Sequence, residues 1–204
     1  NLTAFGCDRN AKGDNPYPQV RMCSLMETSS HLLLASEFDS RDVGEMSLAQ
    51  RLIPSVPNNS LTLFDRGYYS LGLLYLWMTK GVNTHWMLPA RKDLQYTVKH
   101  RLSEHDAVIT LKTSPQARKK FDGLPETIDA RLTSYKVDGK SYHVLSSMVD
   151  VLQFPYEEVV DVYVQRWEIE LGFREMKQTL NQAKLTLRSK KPEMVRQELW
   201  GLLL

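Results

Sequence analysis

The stretch YVQRWEIELGFREMK, residues 163–177, carries four polar side chains at helical spacing. Tyr163, Arg166, Glu170 and Lys177 stand three, four and seven residues apart. At about 100° per residue, these side chains fall within roughly 60° of one another on a helix. No proline interrupts the run, so the pattern predicts a helix with all four residues in one stripe.

This stripe lies between two apolar flanks and is separate from an ordinary solvated face. The flanking residues are Val162, Ile169, Phe173, Met176 and Leu180 on one side and Val160, Trp167 and Leu171 on the other. A different polar face lies opposite, as expected of a surface helix. The extra stripe indicates a site for an anionic ligand, with a metal ion. The alternative is a solvated helix on which Arg166 and Glu170 form an ion pair.

A second candidate lies in LTLFDRGYYS, residues 61–70, where an apolar run ends in Asp65. The run predicts a buried strand with the carboxylate at its C-terminal end. Mg²⁺ and Mn²⁺ favour carboxylate oxygens as ligands. Asp65 and Glu170 are therefore the candidate catalytic and metal-binding residues. The alternative for Asp65 is a residue that caps the following turn.

These segments together resemble one known family. The Tyr-x2-Arg-x3-Glu-x6-Lys spacing, the Asp-Arg-Gly-Tyr segment and the tail LRSKKPEMVRQELWG at 187–201 are similar to DDE transposases of insertion sequence family four, which excise through DNA hairpins. The likeness covers essentially the whole chain and is weak at 91–140. It implies metal-dependent strand cleavage and strand transfer at insertion-sequence ends.

The resemblance also implies the fold class and the domains. The implied fold is an α/β ribonuclease-H-like mixed sheet flanked by helices and interrupted by a β-rich insertion. We expect the first part of the core at 1–90, the insertion at 91–150, and the second part of the core, with the long helix, at 151–204. The first core strand, with the first aspartate of the triad, is expected upstream of residue 1, so that the chain is an excerpt and is inactive alone.

The resemblance further implies the roles of the site residues. Asp65 and Glu170 would be the second aspartate and the glutamate of the triad, and would hold two Mg²⁺ or Mn²⁺ ions. Tyr163, Arg166 and Lys177 would bind DNA near the cleaved end. The basic tail around Arg188, Lys190 and Lys191 is also expected to bind DNA. The expected partners are double-stranded DNA, at the element ends and the target, and a second copy in a homodimer.

Local patterns predict the elements. Strands are expected at 17–27, 31–39, 60–65, 84–88, 106–112, 127–135 and 140–147, and helices at 43–52, 70–80, 155–180 and from 192. Asp138-Gly139 predicts a hairpin turn. Trp86 is a conceivable platform for a flipped base, although a buried position is favoured for it. Asp8 and Asp14 are expected in a loop.

Composition sets wider bounds. The 204 residues have a formal net charge of only +2, but residues 91–140 hold eleven Lys and Arg against seven Asp and Glu. Such segregation is compatible with a phosphate-binding face. Two cysteines and no long apolar run favour a protein of the reducing cytoplasm. The resemblance implies a bacterial, nucleoid-associated protein. Two alternatives stay open: a ribonuclease-H-like nuclease that only hydrolyses, and a domesticated DNA-binding protein without catalysis.

Overall fold

A computed structural model describes residues 2–10, 13–137, 139–164, 171–172, 174 and 187–203. The chain forms two compact units: one from the described residues within 1–55 and 167–204, the other from those within 56–166. The elements in chain order are α1 Leu2–Phe5, β1 Cys7–Asn10, β2 Gly13–Pro18, β3 Val20–Met26, β4 Leu33–Ser40, α2 Glu45–Leu52, β5 Ser60–Leu63, α3 Leu71–Lys80, β6 Thr84–Pro89, β7 Thr97–Arg101, β8 Asp106–Lys112, α4 Pro115–Lys120, β9 Thr127–Val137, β10 Lys140–Ser146, α5 Tyr156–Val164 and α6 Pro192–Leu203.

The first unit contains two separate antiparallel strand pairs, β1 with β2 and β3 with β4. Helix α2 packs on β3 and β4 and buries three apolar side chains, Leu48, Ala49 and Leu52. Helix α6 contacts β4 through the rings of Trp200 and Phe38, whose centroids lie 5.2 Å apart in an edge-to-face arrangement. This contact holds α6 against the β3–β4 strand pair.

The second unit is built on one six-stranded mixed sheet in the order β5-β6-β10-β9-β8-β7. β5 and β6 are parallel and are connected through α3, while the other pairs are antiparallel. Side chains alternate between the faces of a strand. Thr62 and Thr84 therefore share the α3 face, where they hydrogen-bond Trp77. Met87 lies on the opposite face and packs with Val159 of α5.

The predicted mixed α/β sheet flanked by helices is confirmed. Its assignment as ribonuclease-H-like stays a prediction, as does a first core strand upstream of residue 1. The segment 91–150 is β-rich, and its strands continue the sheet of β5 and β6. β9 and β10 occupy central positions in that sheet. The predicted division at residues 90 and 150 stays a prediction, whereas the compact units divide near residues 55 and 166.

Most predicted elements within the described residues are present, and the β9–β10 hairpin follows the Asp138-Gly139 signal, with Gly139 at φ 74°. Among the elements given above, the sequence analysis missed five: α1, β1, β2, β7 and α4. Asp8 and Asp14 lie in β1 and β2, so the prediction of a loop was wrong for them. Those strands are rich in Asp, Asn, Gly and Pro, and pairing overrides their weak local preference. Within the described residues, no helix has the length and apolarity needed to cross a membrane.

Candidate active-site groove

Asp65 lies two residues beyond the end of β5 and is exposed. Strand pairing persists up to it, because the Phe64 N–H donates to the Met87 carbonyl at 2.8 Å. The Phe64 ring is buried against Trp77, with centroids 4.7 Å apart, and this anchors the strand end. One Asp65 oxygen accepts a hydrogen bond from the Arg66 N–H at 2.6 Å. The predicted strand-end carboxylate is thus present, and it also caps the short turn at Arg66–Tyr68, which was the alternative reading.

Cations flank this carboxylate for a topological reason. Because β5 and β6 are parallel, their C-terminal ends meet at one edge of the sheet, the usual location of ligand sites in α/β sheets. Arg66 follows the first strand end, and Arg91 and Lys92 follow the second. All three residues are exposed. Together they form the positively charged side of the site.

Arg91 is held by two neighbours. Its Nε and Nη2 donate to Asp93 at 3.1 and 3.0 Å, and its guanidinium lies 5.4 Å from the centroid of the Tyr69 ring. The hydrogen bond from Arg91 lowers the pKa of Asp93. Burial raises the pKa of Tyr69, which therefore stays neutral beside the cation. Arg91 is therefore presented in a defined position.

A groove of about 800 Å³ opens at this edge. Asp65 and the three cations line it, and residues of β10 form another wall, among them Tyr142 and His143. Tyr142 is 40% exposed and stacks on Tyr135, with centroids 5.3 Å apart and planes 15° apart. Among the described residues, the groove therefore combines the Asp65 carboxylate with several cations and an exposed aromatic face.

Tyr163, predicted to bind DNA, lines the same groove from α5. It is only 6% exposed and belongs to a core cluster with Met87 and Val144. Its ring packs edge-to-face on Tyr135 at 6.0 Å. The structure thus brings Asp65 and Tyr163 to one groove, with most of the Tyr163 ring serving as core.

Trp86 is fully buried, so it cannot serve as a platform for a base, in agreement with the favoured sequence interpretation. The remaining predicted site residues are divided. Arg166, Glu170 and Lys177 lie outside the described residues. Arg188 is described, is exposed, and belongs to the first compact unit. Within the described ranges, no three His, Cys, Asp or Glu side chains cluster in a way that could hold a metal ion.

A buried ion pair supports the segment that leads into α5. Arg131 on β9 is 1% exposed and donates two hydrogen bonds to Asp106 on β8. Its Nη1 also donates to the carbonyl oxygens of Met148 and Phe154, at 3.4 and 2.5 Å. One side chain therefore connects the sheet to both ends of the loop before α5, the helix that carries Tyr163.

The sequence analysis did not identify Arg66, Arg91, Lys92, Tyr142 or His143 as groove residues. For the three cations a signal existed, since Arg66 directly follows the predicted strand 60–65 and Arg91 and Lys92 lie within four residues of the end of the predicted strand 84–88. For Tyr142 and His143 there was no local signal, because only the pairing of β10 with β6 brings them to this edge.

These features define an α/β domain with an acidic strand end in a cation-lined groove. The chain belongs to the family described as Transposase DDE domain, which it matches over residues 6–204. No solved structure matches it significantly.

Two curated relatives come from Escherichia coli strain K12. The chain is 52% identical over its full 204 residues to the transposase InsG for insertion sequence element IS4, covering 46% of that protein. It is 40% identical over 85 residues to the putative transposase InsZ, which is 42% of this chain and 28% of that protein. The chain thus spans less than half the length of either relative.

Proposed function

We propose that this chain is part of the catalytic domain of a transposase that cleaves and rejoins DNA at insertion-sequence ends. Family membership and the identity to an insertion-sequence transposase support the class of reaction. The observation that carries the proposal is the exposed Asp65 carboxylate at a strand end, in a groove lined by Arg66, Arg91 and Lys92. A carboxylate next to phosphate-binding cations suits chemistry on a phosphodiester.

Asp65 fits the role of a metal ligand, because it is exposed and only one of its oxygens accepts a described hydrogen bond. In this proposal Asp65 and Glu170 hold two Mg²⁺ or Mn²⁺ ions, with a further aspartate that the resemblance places upstream of residue 1. When bound, such ions stabilise the charge that develops around phosphorus. Oxygen donors are the ligands that both metals prefer.

The cations of the groove hold the DNA strand in place for this chemistry. Arg66 and Arg91 can contact phosphate oxygens as planar forks, and Lys92 as a point charge. Arg166 and Lys177, which the sequence predicts on the helix stripe, extend this grip, and Tyr163 donates from the groove wall. These contacts orient the strand without reading its sequence.

A hairpin intermediate requires the DNA strand to bend sharply near its end, which is easier when one base leaves the stack. Tyr142 offers an exposed ring in the groove, and the Tyr135 ring supports it from behind. Stacking on such a ring is worth about 1–3 kcal/mol per base and does not depend on sequence. We assign Tyr142 this role in place of the buried Trp86.

The test compares Asp65→Asn with Asp122→Asn in the full-length protein. Asp122 is an exposed carboxylate of the same unit that does not line the groove, so the change in charge is matched. A duplex with the element end is used in a Mg²⁺-dependent cleavage assay and in a mobility-shift assay. Asp65→Asn is expected to abolish cleavage and to leave DNA binding within about twofold, whereas Asp122→Asn should keep both.

The products separate the proposal from its alternatives. Hairpin ends and strand transfer support a transposase, while simple hydrolysis supports a nuclease. DNA binding without any cleavage by the wild-type protein supports a domesticated binding protein. Cleavage near the wild-type rate by Asp65→Asn would remove this residue from the site. A homodimer in the DNA complex and action at the bacterial nucleoid belong to the same proposal.

A further inference from the structure

A short basic loop precedes α6 in the first compact unit. Arg188, Lys190 and Lys191 are exposed, and Ser189 lies between the first two. None of these three cations lies within 4 Å of a carboxylate among the described residues. Three cations within four residues form a concentrated positive surface, which suits the phosphate backbone of DNA.

The loop is held in place by one carboxylate on the helix. Glu198 Oε2 accepts hydrogen bonds from the backbone N–H groups of Arg188 and Ser189, at 3.0 and 3.4 Å. Its Oε1 accepts from the Ser189 hydroxyl at 2.7 Å. The hydrogen bond from the Ser189 hydroxyl, and after it those from the backbone N–H groups, lower the pKa of Glu198. The Glu198 carboxyl group is therefore ionised at neutral pH. Both carboxylate oxygens accept hydrogen bonds from the loop, so the contact fixes the orientation of the loop as well as its distance from α6.

The helix that carries Glu198 is itself anchored. Val195 is 3% exposed, and Trp200 packs edge-to-face on Phe38 of β4. Both anchors lie within three residues of Glu198. The loop is therefore connected through Glu198 to the folded part of the unit.

We propose that Glu198 is a positioning residue that holds residues 188–191 as a surface for the phosphate backbone of double-stranded DNA. This inference rests on the proposed function, because DNA is the partner it requires. Without Glu198 the three cations remain, but their backbone is free to move. A loosened loop must be ordered again when it binds, so it binds DNA more weakly.

The direction in which DNA affinity changes when Glu198 is neutralised distinguishes positioning from simple electrostatics. A carboxylate close to DNA repels phosphate, so neutralising it should strengthen binding if charge alone matters. Positioning requires the opposite result. Glu193, in the first turn of the same helix, is an exposed carboxylate with no described contact to the loop and provides a matched control.

The experiment uses the full-length protein and an element-end duplex without Mg²⁺, with fluorescence anisotropy over a series of salt concentrations. Glu198→Gln and Ser189→Ala are each expected to weaken binding about two- to tenfold and to reduce the salt dependence. Glu193→Gln should bind as well as wild type or better. Amide hydrogen exchange at Arg188 and Ser189, without DNA, should become faster in the first two variants only.

Ser189→Ala leaves the charge unchanged and removes a single hydroxyl, so it tests the contact even if Glu198→Gln unfolds the helix. Wild-type-like or tighter binding by both loop variants overturns the positioning role. Faster exchange with unchanged binding also overturns it, since an ordered loop would then not matter for DNA. A wild-type protein that does not bind the duplex contradicts the proposed function itself, and the inference with it.

Discussion

Arg131 and Asp106 form a two-pronged ion pair across the neighbouring strands β9 and β8. Arg131 Nε donates to Asp106 Oδ1 at 2.8 Å, and Nη2 donates to Oδ2 at 2.6 Å. The Thr133 hydroxyl lies 3.3 Å from the same Oδ1. Both charges are almost completely removed from water, so each depends on the other for its stability.

Removal of one partner should therefore strongly destabilise the folded protein. Arg131→Met leaves the Asp106 carboxylate buried without its cation and also frees the loop before α5. We expect a loss of about 3–5 kcal/mol in the free energy of unfolding, measured by chemical denaturation. Arg101→Met, at an exposed position in β7, is the control and should change it by about 0.5 kcal/mol or less. Equal losses in the two variants would contradict this role of the pair.

Gly72 in α3 has no room for a side chain. A Cβ at this position would lie 2.2–2.5 Å from carbon atoms of the Phe121 ring. Gly72→Ala should lower the free energy of unfolding by about 1–3 kcal/mol, because the ring must move. Gly201 in α6 has no atom within 4 Å of such a Cβ, so Gly201→Ala should stabilise by about 0.5–1 kcal/mol. Thermal unfolding of both variants checks the contrast in sign.

Glu27 should make stability depend on pH in the acid range. The Ser30 hydroxyl, followed by the backbone N–H of Ser29, lowers the pKa of this carboxyl to about 2. The folded state therefore holds the proton less tightly than the unfolded chain does. The stabilisation is complete above the ordinary pKa of 4.5 and is lost as the pH falls through about 2.

A carboxyl titration by NMR measures this pKa directly. Ser30→Ala should raise the pKa of Glu27 toward its ordinary value, and Glu27→Gln should remove this part of the pH dependence of unfolding. An unchanged titration in Ser30→Ala would show that the hydroxyl does not hold the carboxylate.

Lys92 offers a direct test of the groove as the path of DNA. If it neutralises one phosphate, Lys92→Gln should reduce the slope of log affinity against log salt concentration by about 1. Lys80 is the last residue of α3 and does not line the groove. Lys80→Gln therefore makes the same change in charge outside the groove. The slope of this control should stay at the wild-type value. Equal changes would indicate a general charge effect instead of a contact.

Tyr142 should matter for hairpin formation and for little else. Tyr142→Ala removes the ring that stacks on Tyr135, and we expect fewer hairpin ends with first-strand nicking retained. Tyr142→Phe keeps the ring and should behave as wild type. Denaturing gel electrophoresis separates nicked, hairpin and fully cut products. Loss of nicking in Tyr142→Ala would instead assign the residue to general DNA binding.

Local patterns in the sequence were sufficient for most of the elements and for Asp65. The apolar run before Asp65 predicts a buried strand with an acidic end, and the Asp138-Gly139 pair predicts the β9–β10 hairpin. Alternation and turn preference act between residues close in the chain, so a single sequence contains them. The distribution of cations after strand ends is readable in the same way.

The assembly of the groove was decided by tertiary structure alone. Tyr142 and Asp65 are far apart in sequence, and they share a groove because β10 pairs with β6. The same long-range pairing makes β9 and β10 central strands and buries Arg131 against Asp106. Such contacts depend on which faces pack together across the sheet. The free energy of that packing is not encoded in any one segment. The sequence therefore determined the local elements and the acidic strand end, while packing decided which distant side chains surround it.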